Sequence, residues 1–300
     1  MEIQILIEYK LLLEKIKNNN IDEFIDIMYQ LDNMDCEYIF FSVGDELQEV
    51  YKILYTEKSN QNIKILSRMF DKIGRKISNN NNLYEKCKKD IDALCVKESN
   101  NIKMILKNNK EFAFDKHIVK WGDEESYLRT VSKREDLCKI LSIFISQEDD
   151  LNKFVDYIKC IYYNLDFDDD IYNSMQQLEA GFDVRRNEII YHLLCLNTEI
   201  PRIISENGSM NNEMIGEKLS INCTPERNRE IVKNQLTKSV DDNKKLVCEL
   251  HTKLKKIGSR IPDRIYFCAD VPNGIFINGI DMSHKIFIYK ITKHAGKKFL

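Results

Sequence analysis

The chain has 300 residues, 43% of them hydrophobic and 31% charged, with a net charge of −3, values that exclude a disordered or fibrous chain. No apolar run approaches the roughly eighteen residues that span a bilayer, so no membrane span is predicted. Nine scattered cysteines and an N-terminus without a secretion signal predict reduced thiols in a cytoplasm, a host cytoplasm if the source is an intracellular bacterium or a virus.

Between Met1 and Ile200 there is no proline and only four glycines, Gly44, Gly74, Gly122 and Gly181. Such a stretch is permissive for helix. Apolar spacing predicts helices over 3–17, from Ile21 onward behind a capping Asn20, and over 36–56, 61–78, 83–97, 101–109, 123–146, 148–163, 168–180, 182–196 and 210–220. Breaks fall at Asn18-Asn19-Asn20, Asn60, the run from Asn79 to Asn82, Asn100 and Trp121-Gly122. Helices joined by short polar loops predict a mainly α fold over 1–222, an irregular helical array or degenerate α-solenoid. No fixed repeat period is found.

From 223 to 300 the expectation changes to a small α+β module. Thr224 as N-cap, Pro225 in the first turn and Gly258 as stop predict one helix over 224–257, about 50 Å long. Leu236, Val240, Val247, Leu250, Leu254 and Ile257 recur at three- and four-residue steps along it. They predict either a packing face or a coiled-coil seam for a homodimer. Arg264–Ala269, Ile275–Ile277 and Lys285–Thr292, separated by Asn273-Gly274 and Asn278-Gly279, predict a three-stranded antiparallel meander over 263–292.

Charge is unevenly placed. Residues 224–300 hold sixteen Lys/Arg against eight Asp/Glu, a net of +8, which leaves −11 on the first 223 residues. Arg227, Arg229, Lys233, Lys238, Lys244, Lys245, Lys253, Lys255, Lys256, Arg260 and Arg264 could track a phosphate backbone, with Lys293, Lys297 and Lys298 adding to them. Tyr266, Phe267, Phe276, Phe287 and Tyr289 would be stacking platforms on an open sheet face. Docking of the basic end on an acidic partner, or on the rest of the chain, explains the same charge.

Chemistry leaves weaker traces. Asp166-Phe167-Asp168-Asp169-Asp170 opens like a calcium loop, but Ile171 and Gln177 stand where Gly and Glu are needed, so it reads as a solvated helix start. His192 with Cys195, and Cys248 with His251, have helical spacing and would form a zinc site only if two helices met; core packing is the expectation. Cys268 and His284 could meet across a sheet, yet no local feature lowers the thiol pKa. Phosphate loops of the GxGxxG and GxxxxGK[ST] types are absent. Arg264-Ile265-Tyr266-Phe267 followed by Lys285-Ile286-Phe287-Ile288-Tyr289 resembles strand pairs of ADP-ribosyltransferase-like folds over about thirty residues, without the nicotinamide-binding or catalytic motif. The sequence therefore predicts a non-enzymatic interaction protein without a cofactor, binding a protein partner through its helical body. The alternative is nucleic-acid binding through 224–300, and an ADP-ribosyltransferase-like enzyme comes third.

Overall fold

The computed structural model describes residues 2–32, 36–41, 46–57, 59–73, 102–107, 117–121, 124–131, 133–208, 211–241 and 244–296. The chain is mainly helical with strands, ten helices being present among the described residues. It divides into two compact units, 1–140 and 141–300. The helix expected over 83–97 lies outside the described residues.

The first unit contains β1 (Glu2–Glu8), α1 (Tyr9–Lys17), α2 (Asp22–Asp32), β2 (Cys36–Phe41), α3 (Glu46–Thr56), α4 (Gln61–Ile73), β3 (Ile102–Lys107), β4 (His117–Trp121) and β5 (Glu124–Val131). Its strands form one mixed sheet in the order β2-β1-β3-β5-β4, with β1 parallel to β2 and the other pairs antiparallel. The expected uninterrupted helices over 3–17, 36–56 and 123–146 are therefore each a strand followed by a helix, and 101–109 is a strand. The period explains the error. Ile3, Ile5 and Ile7 alternate with Glu2, Gln4 and Glu8, and 36–41 is aromatic and β-branched, both strand signals hidden inside a loose apolar stripe. Helices α1 to α4 bury Leu12, Phe24, Ile27, Leu31, Val50, Leu66 and Phe70, and Ile21 just before α2 is buried with them. The break at Asn60 is a real cap, its Oδ1 accepting from the Asn62 and Ile63 amides at 2.9 and 3.4 Å.

Helix α5 (Arg134–Ile145) contains the boundary between the units. The second unit continues with α6 (Leu151–Ile161), β6 (Leu165–Phe167), α7 (Ile171–Gln176), α8 (Phe182–Asn207), α9 (Asn212–Lys218), β7 (Cys223–Pro225) and α10 (Arg229–Gln235). Strands β8 (Thr237–Ser239), β9 (Lys245–Val247), β10 (Leu250–Lys253), β11 (Arg264–Cys268), β12 (Phe276–Ile277), β13 (Ile280–Asp281) and β14 (Ile286–Thr292) follow. The main sheet has the order β6-β14-β11-β10-β7, with β6 parallel to β14 and the remaining pairs antiparallel.

Helix α8 runs through Pro201 instead of ending before it. Proline cannot donate to the carbonyl four residues back, that of Asn197. This carbonyl instead accepts from Asn164 Nδ2 at 2.8 Å, so the lost bond is replaced.

The helix expected over 224–257 does not form. Thr224-Pro225 is an edge strand, where proline's missing donor costs nothing. Asn228 caps the short α10 by accepting from the Glu230 and Ile231 amides at 3.0 and 3.3 Å. Beyond α10 one side of the chain is buried at every second residue, Leu246, Cys248, Leu250, Thr252 and Leu254, with Val247 exposed between them and His251 buried on the other side. Three- and four-residue steps sampled from this run imitated a helix. The meander is corrected too. Strands β11 and β14 pair directly, while β12 and β13 form a separate two-stranded hairpin. Its turn places Asn278 at φ 52° and Gly279 at φ 75°, the left-handed pair that closes a tight hairpin. Because β6, at 165–167, belongs to the same sheet as β7, β10, β11 and β14, residues 223–300 are not a module apart from 141–222.

Candidate anion-binding site on the C-terminal sheet

Opposed residues of antiparallel strands place their side chains on the same sheet face. Thr224 of β7 opposes His251 of β10, His251 opposes Tyr266 of β11, and Tyr266 opposes Lys290 of β14. These four residues form one row across the sheet. Lys253, Arg264 and Thr292 are likewise opposed and form a second row. The face therefore carries hydroxyls, an imidazole, a phenol and cations. The opposite face carries Leu250, Thr252, Ile265 and Ile291, and His192 Nδ1 of α8 bonds Thr252 Oγ1 there at 2.9 Å.

This polar face is largely buried. Helix α10 and the residues after β14 cover part of it, Val232, Leu236 and Ala295 clustering with a fully buried Tyr266. The Tyr266 hydroxyl accepts from the Ala295 amide at 2.8 Å and from Arg264 Nη1 at 3.4 Å, and Arg264 pairs with Glu226 at 2.9 Å. His251 stacks at 5.3 Å from Tyr266, and burial followed by the nearby Arg264 charge pulls its imidazole down to about 4. It is neutral at ordinary pH. Burial also lowers His294 and Lys290 and raises Tyr266.

Satisfaction on this face is incomplete. His251 Nε2, Arg264 Nε and Thr292 Oγ1 are buried atoms without a hydrogen-bond partner. An unmade bond of this kind costs about 1–3 kcal/mol, so native folds rarely leave several together without a reason.

A pocket of about 120 Å³ opens between α7, the end of α10, β14 and the segment after it. Tyr266, Leu236, Ala295, Thr292 and Ser174 are its buried lining; Lys290 and Lys293 bring the positive charge, His294 a ring kept toward neutrality by burial, and Asp170 is its acidic residue. Lys290 Nζ donates to the Gln235 carbonyl at 2.9 Å and lies 4.6 Å from the Tyr289 ring centroid. The Ser174 hydroxyl accepts from the Ile291 amide at 3.1 Å, fixing α7 against β14. The arrangement suits an acceptor-rich anion, because lysine offers donors only and the threonine hydroxyl can donate.

Of the basic residues singled out from sequence, Lys297 and Lys298 lie outside the described residues, Lys238, Lys253, Arg264 and Lys293 are half-buried, and the others are exposed but occupy separate segments. Arg227, Arg229 and Lys233 lie on or before α10, Lys244 and Lys245 at β9, and Lys255, Lys256 and Arg260 on the β10–β11 connection. Several are engaged internally. Arg229 pairs with Glu249 at 2.8 Å, Lys244 donates to the Gly274 carbonyl at 2.6 Å and Arg260 to that of Glu179 at 3.2 Å. The supposed dimer seam is absent: Leu236, Leu250 and Leu254 are buried within their own unit, Val240 and Ile257 are partly buried, and Val247 is exposed. Three of the expected stacking platforms are also lost, since Tyr266, Phe267 and Phe287 are buried. Sequence reading missed Lys290 and His294. Their signal was the offset of two between Lys290 and Thr292, which only the strand register turns into a shared face.

Other candidates resolve as packing. Asp169 and Asp170 are exposed at the start of α7, the solvated acidic helix start expected from sequence, while Asp168 is buried and pairs with Lys238 at 2.7 Å, and Asp169 accepts from Asn278 at 2.9 Å. Cys248 and His251 share no helix. Cys268 and His284 both bond Asp270, the thiol to its carbonyl at 3.4 Å and the imidazole to its carboxylate at 3.1 Å. Burial pushes the Cys268 thiol up to about 11, away from a nucleophilic thiolate, and it packs with Leu246, Val271 and Phe287. Among the described residues no group of three or more His, Cys, Asp or Glu could hold a metal, and no helix is long and apolar enough to cross a membrane. Strands 264–268 and 286–292, which contain the segments resembling ADP-ribosyltransferase-like strand pairs, are direct neighbours in the sheet. Compared with known proteins, the chain matches no family model, no curated protein and no solved structure.

Proposed function

We propose that the protein is a macromolecular binding protein whose C-terminal unit holds a nucleic-acid strand. The carrying observation is the pocket on the polar sheet face, whose lining brings together Lys290, Lys293, His294 and Thr292, the last with a hydroxyl that has no partner in the protein. The net +8 over 224–300 supplies the wider positive field, with Arg227, Lys233, Lys245, Lys255 and Lys256 exposed outside the pocket.

Full-length protein titrated into a labelled single-stranded oligonucleotide tests this. At about 50 mM salt binding is expected, and the logarithm of affinity should fall linearly with the logarithm of salt concentration. Charge reversal at Lys255 and Lys256 should flatten that slope by about one to two units. The combination Lys290→Glu with Lys293→Glu should abolish binding while the far-ultraviolet dichroism stays unchanged. Absence of binding by wild-type protein in low salt contradicts the reading.

A second reading, protein binding, draws on the first unit. Met28, Tyr29, Ile65 and Met69 line a groove of about 120 Å³ between α2 and α4, with Asp32, Arg68 and Lys72 also in its lining. Tyr29 is half exposed there. An amphipathic partner helix with an acidic edge fits that chemistry, and Met69→Asp would abolish its capture without affecting oligonucleotide affinity.

A further inference from the structure

We infer that the pocket beside Lys290 takes a terminal phosphate monoester, so that the protein prefers a phosphorylated strand end. This rests on the nucleic-acid reading and adds an end preference to it. Three features point this way.

Shape is the first. The lining includes the buried residues Tyr266, Leu236, Ala295 and Thr292, around a volume of about 120 Å³. An internal diester continues as chain on both sides and lies along a surface, whereas a strand end presents one compact tetrahedral group.

Charge is the second. A phosphate monoester carries about −1.5 to −2 near neutral pH, while a diester carries a single charge. The Lys290 and Lys293 ammonium groups match the greater negative charge, while His294, its imidazole lowered by burial, offers a neutral ring near neutral pH. Asp170 opposes it from an exposed position.

The third is the orphaned donor. Thr292 is 7% exposed and its Oγ1 has no partner in the protein, although it sits directly opposite Arg264 in the strand register. A phosphate oxygen in the pocket would accept from that hydroxyl. It would also accept from Lys290 Nζ, which at present donates to the Gln235 carbonyl. Such charge-assisted bonds are stronger than neutral ones.

The experiment compares one single-stranded oligonucleotide in three forms, with a 5′-phosphate, a 3′-phosphate or hydroxyls at both ends, against full-length protein. One phosphorylated form should bind about tenfold tighter than the hydroxyl form. Inorganic phosphate should erase that advantage, and Thr292→Val should erase it too. Because the hydroxyl has no protein partner to lose, the Thr292→Val melting temperature should stay unchanged or rise, which a structural threonine would not allow. If Thr292→Val misfolds, Lys293→Gln at the same pocket replaces it in the comparison. Equal affinity for all three forms overturns the end preference and leaves strand binding standing. Failure of all three to bind overturns both. A phosphate advantage that survives Thr292→Val and Lys293→Gln overturns this pocket as its source.

Discussion

Replacing Asp263 with alanine will destabilise the C-terminal unit by about 3 kcal/mol, toward the lower end of the cost of breaking a buried ion pair because Glu188 still faces Arg185. Asp263 and Arg185 are 0% and 1% exposed, and the carboxylate Oδ2 lies 2.8 Å from Arg185 Nε. The same carboxylate accepts from the Glu179 and Ala180 amides at 2.8 and 3.4 Å. Arg185 Nη1 also reaches Glu188 at 2.8 Å and the Lys255 carbonyl at 2.7 Å. Four chain segments therefore meet at this pair: the α7–α8 turn, the first turns of α8, the β10–β11 connection and the entry to β11. Losing the carboxylate leaves the buried guanidinium with Glu188 as its remaining counter-charge and its Nε unpaired, and frees two amides together. Hydrogen exchange followed by mass spectrometry should show lost protection in 179–190 and 254–264. Combining Asp263→Leu with Arg185→Met should cost much less than the two single changes added together, because no charge is left buried alone. Additive costs would contradict this.

Stability of the same unit should fall by about 2 kcal/mol between pH 6.5 and about pH 5 through His251 alone. The sign follows from its pKa, about 4 in the folded protein against 6.5 for a free imidazole. The unfolded chain then binds the proton more readily, so the contribution is complete above pH 6.5 and is lost progressively as pH falls toward 4. Burial is the main cause and the Arg264 charge the second; Lys253 acts in the same direction, while Glu226 and the Glu249 carbonyl oppose them. Buried His192 and half-buried His294 are shifted the same way and add to the slope. Urea midpoints measured across this interval should fall steeply for wild type. His251→Phe, which keeps a ring beside Tyr266 without a titrating group, should be visibly flatter. Parallel curves for the two proteins would contradict the assignment.

Legibility in the sequence followed the strength of local signals. Helices α2, α4, α6 and α9 lie near the positions read from sequence, and three of them have asparagine or aspartate caps, Asn60 before α4, Asp150 before α6 and Asn211 before α9. Strands β11 and β14 were legible because 264–268 and 286–292 are dense in aromatic and β-branched residues. The first-unit sheet was not, since β1, β2 and β5 run directly or nearly so into helices and share their apolar residues. The region after Thr224 misled most. Its alternate burial is interrupted by charged residues whose spacing also satisfies a helix, and only pairing with β11 decides between the two. For the candidate site, the excess of positive charge was visible and its gathering point was not. Register brought His251, Tyr266 and Lys290, separated by as many as 39 positions, into one row.

Ultraviolet crosslinking of full-length protein to a single-stranded oligonucleotide, with the adducts located by peptide mass spectrometry, tests the central claim most directly. Adducts within 286–296 and 229–236, lost in the Lys290→Glu, Lys293→Glu protein, are the expected result. Adducts confined to residues before 141, or none at all at low salt, would contradict nucleic-acid binding on the polar face of the C-terminal sheet.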